Sequence, residues 1–367
     1  MKFRCERDTL ADAIATAQRA VASRPGALPV LSGLRVAVTA AGKLELVGSD
    51  LELTIRVEAP AQAEGEGSAV VPARLFSDIV RRLEHEAVTM EVGEDDARIE
   101  SGRANFALRT LPAADFPRLP EVSGAGVRVE AGALGDALRQ VVPAASKDDA
   151  RPLLTGVLLT PSGGGLRLVA TDSYRLAVRD LHGMTSFLSE GQEVLVAGRG
   201  LAEVQRLLGS GEIEVVLGDR EVVFRVGSTE ITTRLIEGNF PDYQKLVPHG
   251  YPNRLTVGRD VLRAAVERVR LVGQGRDSAP IRLAMSAGGL ELSAVAQDVG
   301  EAHESVEAKY EGSDLTVAFN SQFLLDGIDA AASDEVVIES IDPLKPAVMK
   351  ATDSGDFLYL LMPVRIA

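Results

Sequence analysis

One plan of strand, helix, strands, helix, strands runs through this chain three times at a period near 120 residues, and that repetition constrains the fold more than any other feature. Each third opens on a short strand-like run and an amphipathic stretch: KFRCERDTLADAIATAQRAV (2–21), VRVEAGALGDALRQVVPAA (127–145) and RLTVGRDVLRAAVERVRLV (254–272). The first helical leucines, Leu10, Leu134 and Leu262, are 124 and 128 positions apart. In the third copy Val261, Leu262, Ala265, Val266 and Val269 fall on the i, i+3, i+4 stripe of a helix packed on one side. Alternating strand pairs follow at 34–58, 157–181 and 281–307. Each has a glycine-bearing hairpin turn (Ala41-Gly42, Gly163 to Gly165, Gly288-Gly289) and an aspartate at the next turn, Asp50, Asp172 or Asp298. Second helices are expected at PARLFSDIVRRL (72–83), GRGLAEVQRLL (198–208) and NSQFLLDGIDAA (320–331), and further alternating strands complete each copy.

Consecutive strands joined by tight turns predict antiparallel sheets, with two helices lying across one face of each copy. Repeats this long are duplicated domains rather than solenoid units. Each copy ends on a proline phrase: Phe116-Pro117, Phe240-Pro241 124 positions later, and Met362-Pro363 another 122 on. Pro117 and Pro241 cannot donate to a sheet ladder, so each ends its strand and steers the chain onward. The expected fold class is α+β, in three similar domains at 1–122, 126–250 and 253–367.

The chain has 367 residues, 46% of them hydrophobic, which is the profile of a soluble globular protein with material for several cores. No apolar run reaches the roughly 18–20 residues a membrane span requires, and the N-terminus lacks the layout of a signal peptide. A single cysteine, Cys5, excludes an intrachain disulfide framework and suits a reducing cytoplasm. His85, His182, His249 and His303 lie far apart, and none has a second histidine or a cysteine at ligand spacing. No metal or cofactor is expected.

Catalytic constellations are scarce. Gly273-Gln274-Gly275 lacks the third glycine of a nucleotide fingerprint and reads as a loop, and Gly163-Gly164-Gly165 reads as a hairpin turn rather than a phosphate cradle. Glu94-Asp95-Asp96 has hard-metal chemistry, but an exposed turn between strands accounts for it better. Asp50 and Asp172 follow Ser49 and Thr171 at turns, where Asx-turn hydrogen bonding explains them without a reaction.

The formal net charge is −14, which argues against phosphate binding unless the charges are segregated. The helices expected at 8–24, 72–84, 132–147, 199–209, 259–274 and 320–331 hold thirteen basic residues against ten acidic, leaving −17 on strands and loops. A mildly basic helical side would attract a phosphate backbone weakly and without reading bases.

Several phrases, in order, carry a resemblance: MKFRCERDTL, SRPGALPVL (23–31), VPARLFSDI (71–79), LPAADFPRLP (111–120), VATDSYRLAV (169–178), FPDYQKLVP (240–248), FNSQFLLD (319–326) and LLMPVRIA (360–367). Over essentially its full length the chain resembles the bacterial sliding clamps, the β subunit of DNA polymerase III. The resemblance implies three domains of the DNA clamp fold per chain and two chains closing head to tail into a ring, with helices lining the hole and sheets outside. Simple geometry agrees. Helices ~10–12 Å thick, packed ~8–10 Å apart, leave about 6–9 Å clear in a circle of six and on the order of 20–28 Å in a circle of twelve. Only two chains therefore make room for a duplex. The function implied is a processivity factor that is not an enzyme, located in the cytoplasm at the nucleoid.

Carried over by position, the resemblance implies DNA contacts at Arg24, Arg74, Arg81 and Arg199, with neighbouring Lys147 and Arg151 as stand-ins in the loop that carries Asp148. Asp148 stands where some relatives have glutamine and would repel phosphate. It further implies a dimer seam with Phe106 and Leu108 against Leu271 and Val272, and Arg103 facing Asp298, Glu301 and Glu304. Finally, it implies a groove between the second and third domains lined by Leu154, Thr171, Tyr174, Arg175, Leu176, Pro241, Leu246, Asn320, Phe323, Leu344, Pro346, Met362, Pro363, Val364 and Arg365. Such a groove would grip short linear motifs on polymerases, the clamp loader, ligase and mismatch-repair proteins. The alternatives are a duplicate clamp specialised for repair or drug resistance, and a binder of a small ligand at the inter-domain groove.

Overall fold

The computed structural model describes residues 1–22, 26, 28–84, 87–119, 122, 124–184, 187–248, 250–273, 280–297, 299–352 and 355–365. Six α-helices are present among them: α1 (Arg7–Ala17), α2 (Ala73–Arg82), α3 (Ala131–Val141), α4 (Gly198–Leu207), α5 (Arg259–Val269) and α6 (Ser321–Ala330). The three opening helices bury one stripe at one spacing: Leu10, Ala13, Ile14 and Ala17 in α1; Leu134, Ala137, Leu138 and Val141 in α3; Leu262, Ala265, Val266 and Val269 in α5. A leucine, then an alanine three residues on, lets the helix sit close to its sheet. Val261, expected on the α5 stripe, is instead 56% exposed, because it lies about 100° around the helix from Leu262.

Each opening helix ends in a 3-10 turn, at Gln18–Ala20, Val142–Ala144 and Arg270–Gly273, so the helices are shorter than the sequence pattern predicts. In the second copy Pro143 removes an amide and blocks continuation. In the first, the helix end presses on a strand: a Cβ on Gly48 would sit 2.1 Å from the Ala17 carbonyl oxygen. The shorter helices change the charge balance. Arg19, Lys147 and Arg270 fall outside the α-helices, which hold ten basic residues against nine acidic. The expected helical excess of three shrinks to one.

The chain forms two compact units, Met1–Ala131 with Arg206–Leu235, and Gly132–Gln205 with Ile236–Ala367. The first unit holds a five-stranded sheet in the order Gln62–Glu64, Lys2–Glu6, Ala87–Val92, Asp96–Ser101, Ala104–Arg109. Its eight-stranded sheet runs Val127–Glu130, Glu212–Leu217, Glu221–Val226, Thr229–Arg234, Leu53–Ala59, Leu44–Ser49, Gly33–Val38, Gly67–Pro72. This sheet joins the first and second repeats by antiparallel pairing of Leu53–Ala59 with Thr229–Arg234. The second unit has a nine-stranded sheet, ordered Val194–Ala197, Gly156–Ser162, Gly165–Thr171, Arg175–Leu181, Phe357–Leu361, Ala347–Ala351, Glu335–Ser340, Asn253–Gly258, Ala308–Glu311. Here Arg175–Leu181 pairs with Phe357–Leu361 to join the second and third repeats. A four-stranded sheet, Gly300–Val306, Gly289–Ala296, Pro280–Ser286, Leu315–Asn320, completes it.

The chain leaves each repeat in the same way. After its last strand it bonds to the strand that precedes the second helix: the Leu111 amide donates to the Val70 carbonyl at 2.8 Å, Ile236 to Leu195 at 2.7 Å and Val364 to Ala318 at 2.8 Å. The aromatic ring of the following phrase is then an anchor. Phe116 is buried against Val30, Leu31, Val47 and Val70, and Phe240 packs on the cluster of Leu158, Val169, Leu176, Leu195, Val348 and Leu360.

Candidate functional site

The strand turn at 171–175 organises the surface where the resemblance places a groove. The Asp172 carboxylate accepts from the amides of Tyr174 (2.9 Å) and Arg175 (3.0 Å), and Thr171 Oγ1 accepts from the Ser173 amide (3.2 Å) and donates to the Arg175 carbonyl (2.6 Å). Ser173 is thereby held at φ 79°, in the left-handed region. The first repeat builds the same turn, with Asp50 accepting from Glu52 (3.1 Å) and Leu53 (2.8 Å) and Leu51 at φ 78°. Both aspartates are thus Asx-turn residues, as their sequence setting predicts. Asp298 lies outside the described residues. The second copy differs in what the turn presents: Tyr174 and Arg175 replace Glu52 and Leu53.

Arg175 turns its charge inward. Its side chain is 8% exposed, and Nε donates to Asp172 at 3.0 Å. Its other nitrogens reach Asp326 of α6, the Pro143 carbonyl after α3, and the Tyr359 hydroxyl at 3.4 Å. Burial lowers the guanidinium, but Tyr359 and Asp326 outweigh that and raise it above its ordinary value. Burial pushes the Tyr359 phenol up, and its hydroxyl donates to the Phe323 carbonyl at 2.9 Å. The guanidinium carbon lies 4.3 Å from the centre of the Phe323 ring, and Tyr174 stacks on that ring with centroids 6.4 Å apart. The result is a layered ledge of Arg175, Phe323 and Tyr174. Asn320 fixes its far side by capping α6, accepting from the amides of Gln322 and Phe323 at 2.9 and 3.1 Å.

The structure brings Thr171, Tyr174, Arg175, Leu176, Asn320, Phe323, Met362 and Val364 together. Met362 donates its amide to the Tyr174 carbonyl at 2.9 Å, and Leu176 pairs in register with Leu360. Thr171, Arg175, Leu176 and Leu154 are buried, whereas Tyr174, Leu246, Leu344 and Met362 are exposed apolar or aromatic side chains. Pro241 and Arg365 are exposed, and Pro346 and Pro363 are half-buried. Sequence reasoning missed the inner partners Asp172, Asp326 and Tyr359. The Asp172–Arg175 spacing was a usable signal for the first, but nothing local marks the other two.

Of the expected DNA contacts, Arg74 and Arg81 are exposed on one face of α2, seven residues apart, and Arg199 is exposed at the start of α4. Lys147 and Arg151 are exposed in the loop after α3. Arg24 lies outside the described residues. Arg151 is already engaged: its Nε donates to Asp148 at 2.9 Å and its terminal nitrogen to Ser173 Oγ at 3.4 Å. That bond, with the Ala150 amide, holds the Asp148 carboxyl below its ordinary range.

Of the expected seam residues, Phe106 is 38% exposed on the edge strand Ala104–Arg109, while Leu108 is buried. Phe106 borders a groove of about 570 Å³ with an apolar floor of Leu75, Ile79 and Leu83 from α2 and its end, and Arg103, Arg82 and Glu84 at its margin. The apolar surface on this side is therefore Phe106 with α2. In the third repeat Leu271 is 54% exposed and Val272 half-buried after α5. Glu301 and Glu304 stand on the edge strand Gly300–Val306, where Arg268 already holds Glu304 at 3.0 Å through Nε.

The chemistry-bearing alternatives resolve into structure. Gly163 and Gly164, at φ 55° and 78°, turn the hairpin closed by Ser162 and Gly165, and the Gly93 amide donates to the Asp96 carbonyl across the Glu94–Asp96 turn. His182 and His303 are surface residues beside Asp356 and Glu291; His85, His249, Gln274 and Gly275 lie outside the described residues. No group of three His, Cys, Asp or Glu among the described residues is placed to hold a metal ion, and no helix there is long and apolar enough to cross a membrane.

An internally triplicated α+β chain with an aromatic ledge and two sheet-edge faces is a protein that acts through its surfaces. The sequence matches the N-terminal, central and C-terminal domains of the DNA polymerase III beta subunit at residues 1–120, 128–242 and 244–365. It is 35% identical to the beta sliding clamp of Streptomyces coelicolor and 33% identical to that of Synechococcus elongatus, covering all of each. Among solved structures it is similar to the DNA polymerase sliding clamp from Bacillus subtilis (TM-score 0.89, 27% identity) and the DNA polymerase III subunit beta from Pseudomonas aeruginosa (TM-score 0.87, 31% identity), with full coverage of both chains. The chain belongs to the DNA polymerase III β subunit family, the bacterial sliding clamps. Members of that family are processivity factors and not enzymes.

Proposed function

We propose that two copies of this chain close head to tail around duplex DNA and tether the replicative polymerase to it. The observation that carries the reading is full-length family membership together with two sheets that end in bare strands: Ala104–Arg109 in the first repeat and Gly300–Val306 in the third. Each bare edge has exposed apolar side chains beside it, Phe106 at one and Leu271 at the other. Pairing the two edges between copies would satisfy both and join the two sheets across the seam. The three domains would be 1–122, 126–250 and 253–367, and the seam would join Arg103, Phe106 and the α2 floor to Leu271, Val272, Glu301 and Glu304.

The ring's hold on DNA would be topological, aided by weak phosphate contacts from Arg74, Arg81, Lys147 and Arg199, consistent with a chain whose net charge is −14. The ledge of Tyr174 and Phe323, with Met362 bonded beside it and Leu246 and Leu344 also exposed, would take the apolar anchors of short linear motifs. Those motifs would belong to polymerase III, the clamp loader, other polymerases, ligase and mismatch-repair proteins, in the cytoplasm at the nucleoid. A preformed apolar site of this kind gives exchangeable contacts and raises the polymerase's effective concentration at the primer end.

The test is retention. Loaded by its cognate loader, the protein is expected to stay on nicked circular DNA and to be lost when the same DNA is linearised. Equal loss from both forms would contradict encirclement.

A further inference from the structure

We propose that the two sheet joints inside this chain are built from different chemistry, so that the first is a salt-sensitive hinge and the second is not. On one face of the eight-stranded sheet, six charged side chains on six successive strands form an unbroken row: Arg35, Glu45, Arg56, Glu230, Arg225 and Glu214. Arg35 lies 3.4 Å from Glu45, and Arg56 lies 3.4 Å from Glu45 and 3.6 Å from Glu230. Arg225 is 2.9 Å from Glu230 and 2.8 Å from Glu214. The middle step, Arg56 to Glu230, crosses between repeats, and the two residues stand directly opposite in the register of the joint. Arg56 Nε is buried yet makes no hydrogen bond among the described residues. The arginine is shared between two carboxylates at charge-pair distance rather than locked to one.

The corresponding face of the nine-stranded sheet carries charged pairs toward its two ends and none across the joint. Arg167 pairs with Asp180 at 2.7 Å at one end, and Lys350, Glu339 and Arg254 are linked at 2.8 and 3.6 Å at the other. Glu214 and Glu339, and Arg225 and Lys350, are each 125 positions apart, so the two rows correspond. At the joint itself, however, Val178 stands opposite Leu358. Both are half-buried and pack on the cluster that also receives Phe240 and Tyr243. Val178 is 122 positions after Arg56, the same spacing that separates Arg167 from Glu45.

The physical consequence follows from what salt does. Half-exposed charges attract through a partly screened field that fades over about 8–10 Å at moderate ionic strength, and single pairs of this kind are weak. Added sodium chloride weakens the Arg56–Glu230 step and leaves an apolar Val178–Leu358 contact intact. The first joint therefore softens with ionic strength while the second keeps its stiffness. This holds for the chain itself, whether or not it closes into a ring.

Hydrogen exchange of the full-length protein, compared at about 50 mM and about 500 mM sodium chloride, tests it. Amides of Leu53–Ala59 and Thr229–Arg234 are expected to exchange roughly two- to five-fold faster at the higher salt, with those of Arg175–Leu181 and Phe357–Leu361 unchanged. Equal responses at the two joints, or none at the first, overturn the proposal. Arg56→Val with Glu230→Leu gives the first joint the second joint's pair and is expected to abolish its salt response; a surviving response also overturns it. Should that variant not fold, the unmodified protein's two joints still decide the matter.

Discussion

Arg151 illustrates how one neighbouring residue resets what a side chain can do. The sequence offers it as a stand-in phosphate contact, but Asp148, three residues earlier, accepts its Nε at 2.9 Å, and Ser173 takes a second nitrogen. A phosphate must then compete with an internal carboxylate, and with Asp148 and Asp149 beside Lys147 and Arg151 the loop carries no net charge. If the loop meets the duplex, Asp148→Asn is expected to strengthen binding to a short duplex and to steepen its salt dependence by roughly one counterion, a slope change of about 0.9. Arg151→Ala is expected to matter little in the unmodified protein and several-fold in the Asp148→Asn background. Anisotropy titrations across salt concentrations read both effects, and an unchanged slope would sink this assignment. Turn chemistry at Asp50 and Asp172 was legible because an Asx turn is a local device. The inward turn of Arg175 was not, since Asp326 and Tyr359 are 151 and 184 residues away in sequence.

At the scale of elements, periodicity exposed the three opening helices through the recurrence of their first leucines and the apolar stripe of the third, but it blurred their ends and one face. Val261 matched the apolar pattern and proved exposed, since hydrophobicity alone does not distinguish the stripe's margin from its centre. The difference is measurable. Leu262→Ala, at a position with no exposed surface, is expected to cost about 2–5 kcal/mol. Val261→Ala is expected to stay within about 0.5 kcal/mol of the parent. Denaturant midpoints of the two variants check the pair, and a larger loss for Val261→Ala would mean that the exposed face is partnered. Helix ends resisted prediction for a tertiary reason: where α1 stops is set by the close approach of the Ala17 carbonyl to Gly48, a contact with a strand some thirty residues later. The shorter helices also reduced the basic excess that the sequence pattern assigned to them, and with it the electrostatic case for tight DNA binding.

At the scale of the whole molecule, a nearly balanced set of helices in a chain of net charge −14 cannot hold a polyanion by attraction alone. On the proposed reading, duration on DNA comes from closure, and closure from the seam. The repeats were legible in one chain's sequence because they are internal, whereas the proposed seam needs a second copy of the chain. On the third repeat the proposed surfaces centre on Leu271, more than half exposed, and Val272 beside it. On the first they centre on Phe106 and the apolar floor supplied by α2. A buried anchor at the middle of an interface commonly costs more than about 1 kcal/mol when truncated, and a two-fold assembly counts each loss at both seams. Leu271→Ala with Val272→Ala is therefore expected to shift the protein from dimer to monomer in sedimentation at micromolar concentration. Circular DNA retention should fall with it, while binding of a motif peptide at the Tyr174–Phe323 ledge should not. A double variant that remains dimeric would show that the closing contact lies elsewhere on these edges. A monomer that still persists on circles would show that residence does not depend on closure at all.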